Sequence, residues 1–525
     1  MTTFTWEEAR RKLKEGRERA LRLGGPKAVA RQRKAGRRTV RERIAELADE
    51  GSFLEIGTLA THKRVDSQGN DLEPTASSYV MGLAEVHGRP VALGGEDFTV
   101  EGGAIEQDHD RIKGGMAGFV EDLAHEYRIP LLMCMEGVGG GVGREEKEGH
   151  APLVSGHNIQ RSYQLLGEVP VLAAAMGACA GATAARVLVS HFTVMTRDTA
   201  CLFAGGPPLV ERALGHRIDK FDLGGAHVHT QMSGAIDNVA DGESDAIRQL
   251  RQVLSYLPQS VWEMPPYAPS DDPPDRQDDI LLKIMPEDRR RAYDVHDIIQ
   301  VIVDHGSFFE IGRDWGQSFV SGLARFGGYP VGLMASNPMH IGGALDPQAS
   351  EKKARFIDFC DTFHLPLVYF IDVPGFMIGG DAERGGTLRK GMRALQAMME
   401  ASVPMVSVYL RKAFGMAGLA TANADRLHLR LAWPTAEWGD MPIEGGVFAA
   451  HRREIEAAPD PNALRAQIEA RLLEQASPWK TAEAFGVEEM IDPTETRGLI
   501  IRFVKASQGS IRTNLGPKAR YGTRL

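Results

Sequence analysis

Cysteine is scarce, with four residues in a chain of 525. Cys134, Cys179, Cys201 and Cys360 stand apart and mostly inside apolar runs, which excludes a disulfide framework, and no C-x-x-C pair offers a zinc site. Long apolar runs are missing as well. The longest, such as Val169 to Ala175 and Leu365 to Ile371, fall far short of the roughly 20 residues that span a bilayer, so no transmembrane helix is predicted. The opening MTTFTWEEARRK has no apolar signal core, and Glu7 and Glu8 are unusual in a transit peptide; with the few cysteines, this gives a cytoplasmic, reducing location as the expectation. Charge of one sign is also lacking. A formal net charge of −9 over this length is a mild field, which argues against a general nucleic-acid binder.

Common catalytic signatures are absent in turn. There is no G-x-x-x-x-G-K-[ST] loop, and in Gly137-Val138-Gly139-Gly140-Gly141-Val142 a valine stands where a dinucleotide fingerprint needs its last glycine. That run reads instead as a flexible active-site loop beside Glu136. No G-x-S-x-G elbow and no Ser, His and acid constellation is present. His227 and His229, two apart and without a third ligand, do not make a metal site, and no metal is predicted in this chain.

What the chain does contain is repetition. RIAELADEGSFLEIG (43–57) is echoed by IIQVIVDHGSFFEIG (298–312), each an apolar helix, a Gly-Ser-Phe turn and the start of a strand. From Ser78, SYVMGLAEVHGRPVALGGEDFTVEGGAI aligns without a gap on SFVSGLARFGGYPVGLMASNPMHIGGAL from Ser318, and the two share twelve identical positions. Both predict a β-hairpin, turning at Gly88-Arg89-Pro90 and Gly328-Tyr329-Pro330, and a buried strand that runs into a Gly-Gly-Ala loop. IPLLMCMEGVG from Ile129 matches LPLVYFIDVPG from Leu365, and VPVLAAAMGACAGA from Val169 matches VPMVSVYLRKAFGM from Val403. The order of elements is the same in both halves. The architecture predicted is a duplicated α/β unit: an N-terminal domain over 1–264, a Pro/Asp-rich surface linker over 265–279 with the boundary near residue 270, and a C-terminal domain over 280–525.

Two loops of small residues are the chemical candidates. In Gly177-Ala178-Cys179-Ala180-Gly181-Ala182 a buried strand delivers small side chains to a helix start, where adjacent backbone N–H groups can hold an oxyanion. Its counterpart is Arg411-Lys412-Ala413-Phe414-Gly415-Met416-Ala417-Gly418. Two such loops suggest a reaction with two developing negative charges. Asp346 and Asp372 read as helix caps or local backbone acceptors as well as acids. The basic stretch from Arg10 to Arg43 reads as a solvated helical hairpin or a contact for phosphates or an acidic surface, and Lys352, Lys353 and Arg355 as a solvated helix face or contacts for phosphates.

At these residues the sequence resembles the carboxyltransferase family that includes the β-subunits of propionyl-CoA and methylcrotonyl-CoA carboxylases. The resemblance covers roughly residues 30–515. It rests on DFTVEGG (Asp97 to Gly103), LGGAHVH (Leu223 to His229), PMHIGGALDPQASEKKARFIDFCD (Pro338 to Asp361), DVPGFMIG (Asp372 to Gly379), RKAFG (Arg411 to Gly415) and LAWPTAEW (Leu431 to Trp438). It implies two tandem crotonase-like domains, with active sites shared between the N-terminal domain of one protomer and the C-terminal domain of another in an oligomer, commonly a hexamer. It implies acyl-CoA as substrate and biotin brought by a separate carrier, with a biotin carboxylase subunit as partner, since the chain has no E-A-M-K-M-like attachment site and no ATP-grasp signature. Carboxybiotin would release CO2 in a closed site and its ureido anion would take the acyl α-proton. By this resemblance the N–H groups of Gly181 and Ala182 hold the thioester oxygen, those of Met416 and Ala417 hold the ureido oxygen, and Gly102, Gly103, Ala104, Gly415, Gly418 and Leu419 bind substrate.

The chain departs from the family at Ala182, at Met416 and Gly418, at the loop after Glu136, and at Leu419, which stands where the family has an aspartate near the acyl pocket. These changes keep backbone donors and alter pocket shape, so the acyl group is left open. A decarboxylase or transcarboxylase component is the alternative within the family. A crotonase-type hydratase or isomerase would need a carboxylate pair at the thioester loop, and an assembly subunit with a degraded site would not bind CoA.

Overall fold

A computed structural model describes residues 4–65, 70–104, 111–115, 118–140, 150, 159–423, 426 and 429–518. The chain divides into two compact units, Met1–Glu263 and Met264–Leu515; Gly516 belongs to the first, its N–H donating to the Val261 carbonyl at 2.7 Å.

The first unit opens with helices α1 (Trp6–Arg22), α2 (Pro26–Lys34) and α3 (Val40–Leu47). Thr39 closes a capping box on Glu42 that starts α3. Its strands are β1 (Leu54–Ile56), β2 (Thr61–Val65), β3 (Asp71–Ala76), β4 (Tyr79–Val86), β5 (Arg89–Glu96), β6 (Leu131–Gly137), β7 (Val171–Ala180), β8 (Phe192–Thr196), β9 (Cys201–Phe203) and β10 (Asn238–Ala240). The main sheet runs β1-β4-β5-β6-β7-β8-β10 with β9 on the end of β7, while β2 and β3 form a separate ribbon. Helices α4 (Phe119–Tyr127), α5 (Ala182–Leu188) and α6 (Glu243–Tyr256) accompany it.

The second unit repeats the main sheet strand for strand. Its strands β11 (Phe309–Glu310), β12 (Phe319–Phe326), β13 (Tyr329–Ser336), β14 (Leu367–Val373), β15 (Met405–Phe414), β16 (Leu429–Ala432), β17 (Glu437–Gly439) and β18 (Glu489–Met490) run β11-β12-β13-β14-β15-β16-β18, with β17 on β15. Helices α7 (Pro347–Thr362), α8 (Thr387–Glu400) and α9 (Gly415–Leu419) matter for the site. In both units the first pairs are antiparallel and the sheet is parallel from β5 or β13 onward. Central strands β6 and β14 are buried along their whole length, which explains their unbroken apolar runs.

Three local readings change. The hairpins turn one residue earlier than predicted: Val86 pairs with Arg89 and Phe326 with Tyr329, leaving His87-Gly88 and Gly327-Gly328 as two-residue loops. All four loop residues have positive φ, the geometry that matches strand twist, so Pro90 and Pro330 lie inside strands. The Pro/Asp-rich segment is laid on the second unit: Tyr267 packs against Tyr329 at 4.9 Å between rings, the Ala268 N–H donates to the Gly328 carbonyl, and Arg276 bonds Asp272 and Asp278. The basic N-terminal stretch is helical, yet Arg43 is fully buried, because two carboxylates of the same unit draw it in.

Candidate functional site

In the first unit the candidate residues converge where β5, β6 and β7 end. Glu101, Gly102 and Gly103 take φ values of 47°, 66° and 68°, and the Gly102 carbonyl accepts from Val138 at 3.1 Å. A Cβ on Gly103 would stand 2.6 Å from the Glu136 carbonyl, so glycine is required for this approach. Ala104 is fixed by its carbonyl, which accepts from the Ser78 hydroxyl at 2.7 Å. A Cβ on Gly139 would lie 2.6 Å from the Ala180 carbonyl and 3.3 Å from the Ala182 nitrogen. The turn at 102–104, the start of the glycine run and the Gly181-Ala182 corner are therefore neighbours. Gly141 and Val142 of that run lie outside the described residues.

Gly181 sits at φ 57°, ψ −121° ahead of α5, a backbone state suited to glycine. Its N–H, expected to face substrate, donates to the Phe203 carbonyl at 3.2 Å, continuing the β7 to β9 pairing. Ala182, the first residue of α5, has no backbone acceptor for its N–H among the described residues. The corner thus offers the amide of Ala182 and holds that of Gly181 in the sheet.

Beneath this corner lies a buried ionic floor that the sequence did not disclose. Glu136 is fully buried and ion-paired with Arg37 and, at 2.7 Å, with Arg43; Gln32 donates to it at 2.7 Å. Arg43 also bonds Glu243 at 2.7 Å. A Cβ on Gly177 would be 2.3 Å from the Glu136 carboxyl, so that glycine makes its room. Beside it Arg186 bonds the Tyr79 hydroxyl at 3.1 Å, Glu121 at 3.2 Å and Glu96 at 3.4 Å. Burial raises the pKa of Glu96 and Glu121, with Arg186 acting against it.

The second unit builds the same place with different charges. Ile341, Gly342 and Gly343 repeat the left-handed turn at φ 44°, 65° and 80°. Asp372, aligned with Glu136, is fully buried and accepts from Arg411 at 2.9 and 3.0 Å and from the Lys412 N–H at 3.1 Å. Arg411 aligns with Gly177, so the partner comes from the next strand here and from the N-terminal segment in the first unit. Gly415 takes φ 60° at the start of α9. Gly418 packs on the Ala413 carbonyl, where a Cβ would be 3.0 Å away. Ala417 is buried, while Met416 and Leu419 are about half exposed at 47% and 52%. Met339, Ile341, Ile378 and Met441, from the neighbouring loops, are exposed too.

The remaining candidates have structural roles. Asp346 caps α7, accepting from the Ala349 N–H at 2.7 Å. His229 bonds the Leu202 carbonyl at 2.7 Å and Ser233 at 3.0 Å. Lys352 and Lys353, read as a solvated face or phosphate contacts, are buried instead; Lys352 donates to the carbonyls of Trp315 and Phe319 at 3.0 and 2.7 Å.

Glu96, Glu136 and Asp372 are all buried, and each is bonded to a guanidinium. None of these three is a free base beside the small-residue turns. Backbone amides at the glycine corners and an apolar rim are available to a ligand.

Two parallel-sheet units of identical strand order, each ending its central strands in a glycine corner and a helix start, define a duplicated crotonase-like enzyme. The chain belongs to the carboxyl transferase family: the model of the carboxyl transferase domain matches residues 31–520. It is 37% identical over 513 residues to the carboxyltransferase subunit of propionyl-CoA carboxylase from Haloferax mediterranei, covering 97% of this chain and 98% of that one. It is 33% identical to the α-subunit of methylmalonyl-CoA decarboxylase from Veillonella parvula, with 94% of each chain covered. Among solved structures it resembles the transcarboxylase 12S hexamer with methylmalonyl-CoA bound, at TM-score 0.88 and 31% identity, covering 100% of this chain and 99% of that one. It is accordingly a carboxyltransferase of the biotin-dependent acyl-CoA carboxylase family.

Proposed function

We propose that the chain moves a carboxyl group from carboxybiotin, held on a separate carrier protein, to the α-carbon of an acyl-CoA thioester. The observation that carries this reading is the duplicated strand-end corner, with backbone amides on offer and the buried acids Glu96, Glu136 and Asp372 each bonded to a guanidinium. Biotin, when bound, supplies the carboxyl group and a ureido nitrogen that accepts the acyl α-proton. The chain's own residues hold charge. The Ala182 N–H, with the Gly102-Gly103-Ala104 turn alongside, receives the thioester oxygen as it gains negative charge; Gly181 shapes the corner. The amides of Met416 and Ala417 hold the ureido oxygen, and Gly415 and Gly418 let the turn approach closely. The amide end of α9 beside exposed Met416, Leu419 and Met441 suits a neutral, largely apolar bicyclic urea. Preorganised donors of this kind are worth about 3 kcal/mol each where charge develops in a dry site.

Residues 1–264 and 280–525 act as the acyl-CoA and biotin halves on either side of 265–279, and the site is completed by a second copy in a hexamer. A biotin carboxylase and a carrier subunit in the cytoplasm are the partners. Among the described residues, no helix is long and apolar enough to cross a membrane. Leu419 and Met416 favour an acyl group other than acetyl or propionyl; equal propionyl-CoA turnover by the protein and a Leu419→Asp variant would count against this. The methylmalonyl-CoA decarboxylase and transcarboxylase relatives support a second reading, in which the transfer runs the other way.

The test is transfer of label from carboxylated free biotin to a panel of acetyl-, propionyl-, butyryl-, methylcrotonyl- and longer acyl-CoAs. Label in one of them establishes transfer and names the acyl class. No transfer together with no CoA binding would sink the reading in favour of an assembly subunit.

A further inference from the structure

Lys353 has no part in the chemistry described so far. It lies on α7, fully buried, and its Nζ donates to the Ala420 carbonyl at 2.7 Å and to the Tyr369 hydroxyl at 3.4 Å. Ala420 directly follows α9, and its own N–H donates back to the Met416 carbonyl at 3.2 Å. The ammonium therefore closes the carbonyl end of the short turn whose amide end faces the ligand. A cation is favourable at that end because the carbonyl dipoles point toward it.

The surroundings make this an unusual lysine. From β12 the Phe319 ring is 5.9 Å from Nζ, and from β14 the Tyr369 ring is 4.6 Å away. Tyr409 of β15 lies beyond Tyr369 and is bonded to the Thr421 hydroxyl at 3.1 Å. Helix α8 contributes Arg393 and Lys390, which pair with Asp358 and Glu351 of α7. Burial holds the Tyr369 hydroxyl well above its ordinary pKa, so it stays neutral. No carboxylate reaches Nζ among the described residues, and burial without such a partner pulls the ammonium down to about 7. Its charge thus changes near neutral pH.

The geometry points to Lys353 as a positioning residue for the second anion-holding turn: charged, it clamps Ala420 and fixes the amides of Met416 and Ala417; neutral, it lets them relax. This rests on the assignment of α9 to biotin, and the experiment separates the two. Intact wild type, Lys353→Met and Lys353→Arg are compared from about pH 6 to about pH 9. One readout is the KM for free carboxybiotin with the best acyl-CoA of the panel; the other is hydrogen exchange across 415–421, compared between proteins at equal pH.

In wild type, KM rises about tenfold as pH passes neutrality, the worth of one charge-assisted hydrogen bond. In Lys353→Met it is high throughout, and in Lys353→Arg, which keeps its charge, it stays low. Exchange follows the same pattern. Identical KM profiles and exchange in wild type and Lys353→Met overturn the inference even if transfer itself is confirmed. If wild type transfers nothing, the biotin assignment fails and exchange alone decides: pH-dependent protection lost in Lys353→Met supports the clamp, and unchanged protection overturns it. Should the bulkier arginine not fit, wild type against Lys353→Met carries the comparison.

Discussion

Ala182 and Gly181 are adjacent, yet their amides have different fates, which allows a backbone donor to be removed by substitution. Proline is tolerated at the first position of a helix, where its missing N–H is not part of the ladder. Ala182→Pro is expected to keep the fold, judged by circular dichroism and melting temperature, and to lower acyl transfer about a hundredfold. Loss of transfer without change in CoA affinity would locate the effect in the charged state of the thioester. Lys353 gives a second prediction at this scale. Its folded pKa is depressed, so its cost to the fold is complete below about pH 7 and fades as pH rises toward the ordinary lysine value of 10.5. Lys353→Met is therefore expected to be more stable than wild type at pH 6, with the advantage shrinking through alkaline pH in urea titrations. The sequence named these residues but hid what they bond: the acceptor for the Gly181 amide lies on β9, and the aromatic and carbonyl groups that enclose Lys353 come from β12, β14 and the end of α9.

At the scale of elements, the duplicated pattern was legible because strands carry their burial in their own composition. Leu131–Gly137 and Leu367–Val373 read as buried strands and are so, and both Gly-Gly-Ala turns fall where the repeat put them. The ionic floor was not legible, since Arg37, Arg43, Glu136 and Glu243 are distant in sequence. One signal was present all the same: aligning the halves sets Gly177 against Arg411, so Glu136 had to find its counter-charge elsewhere. Arg43→Met strips a guanidinium from two buried carboxylates and is expected to cost about 3–5 kcal/mol, measured by urea unfolding, with part recovered in the Arg43→Met, Glu136→Gln pair. Gly177→Ala, whose methyl would meet the Glu136 carboxyl, is expected to weaken acyl-CoA binding more than it weakens binding of biotin.

For the whole molecule, all four cysteines are buried and free, and burial raises each thiol, Cys134 to about 12. A native sample is expected to take up no thiol reagent over minutes and to titrate four thiols once unfolded; early uptake would show that the strand ends open readily. The two units answer the same buried acid by routes of very different length. Asp372 and Arg411 are 39 residues apart, whereas Glu136 waits on Arg37 across 99 and Arg43 on Glu243 across 200. Contacts that close long loops form late, because the chain must surrender more freedom before they reward it. During synthesis the half that leaves the ribosome first therefore has the later-setting foundation, and a chain that misfolds should do so with a sound second unit and an unfinished first.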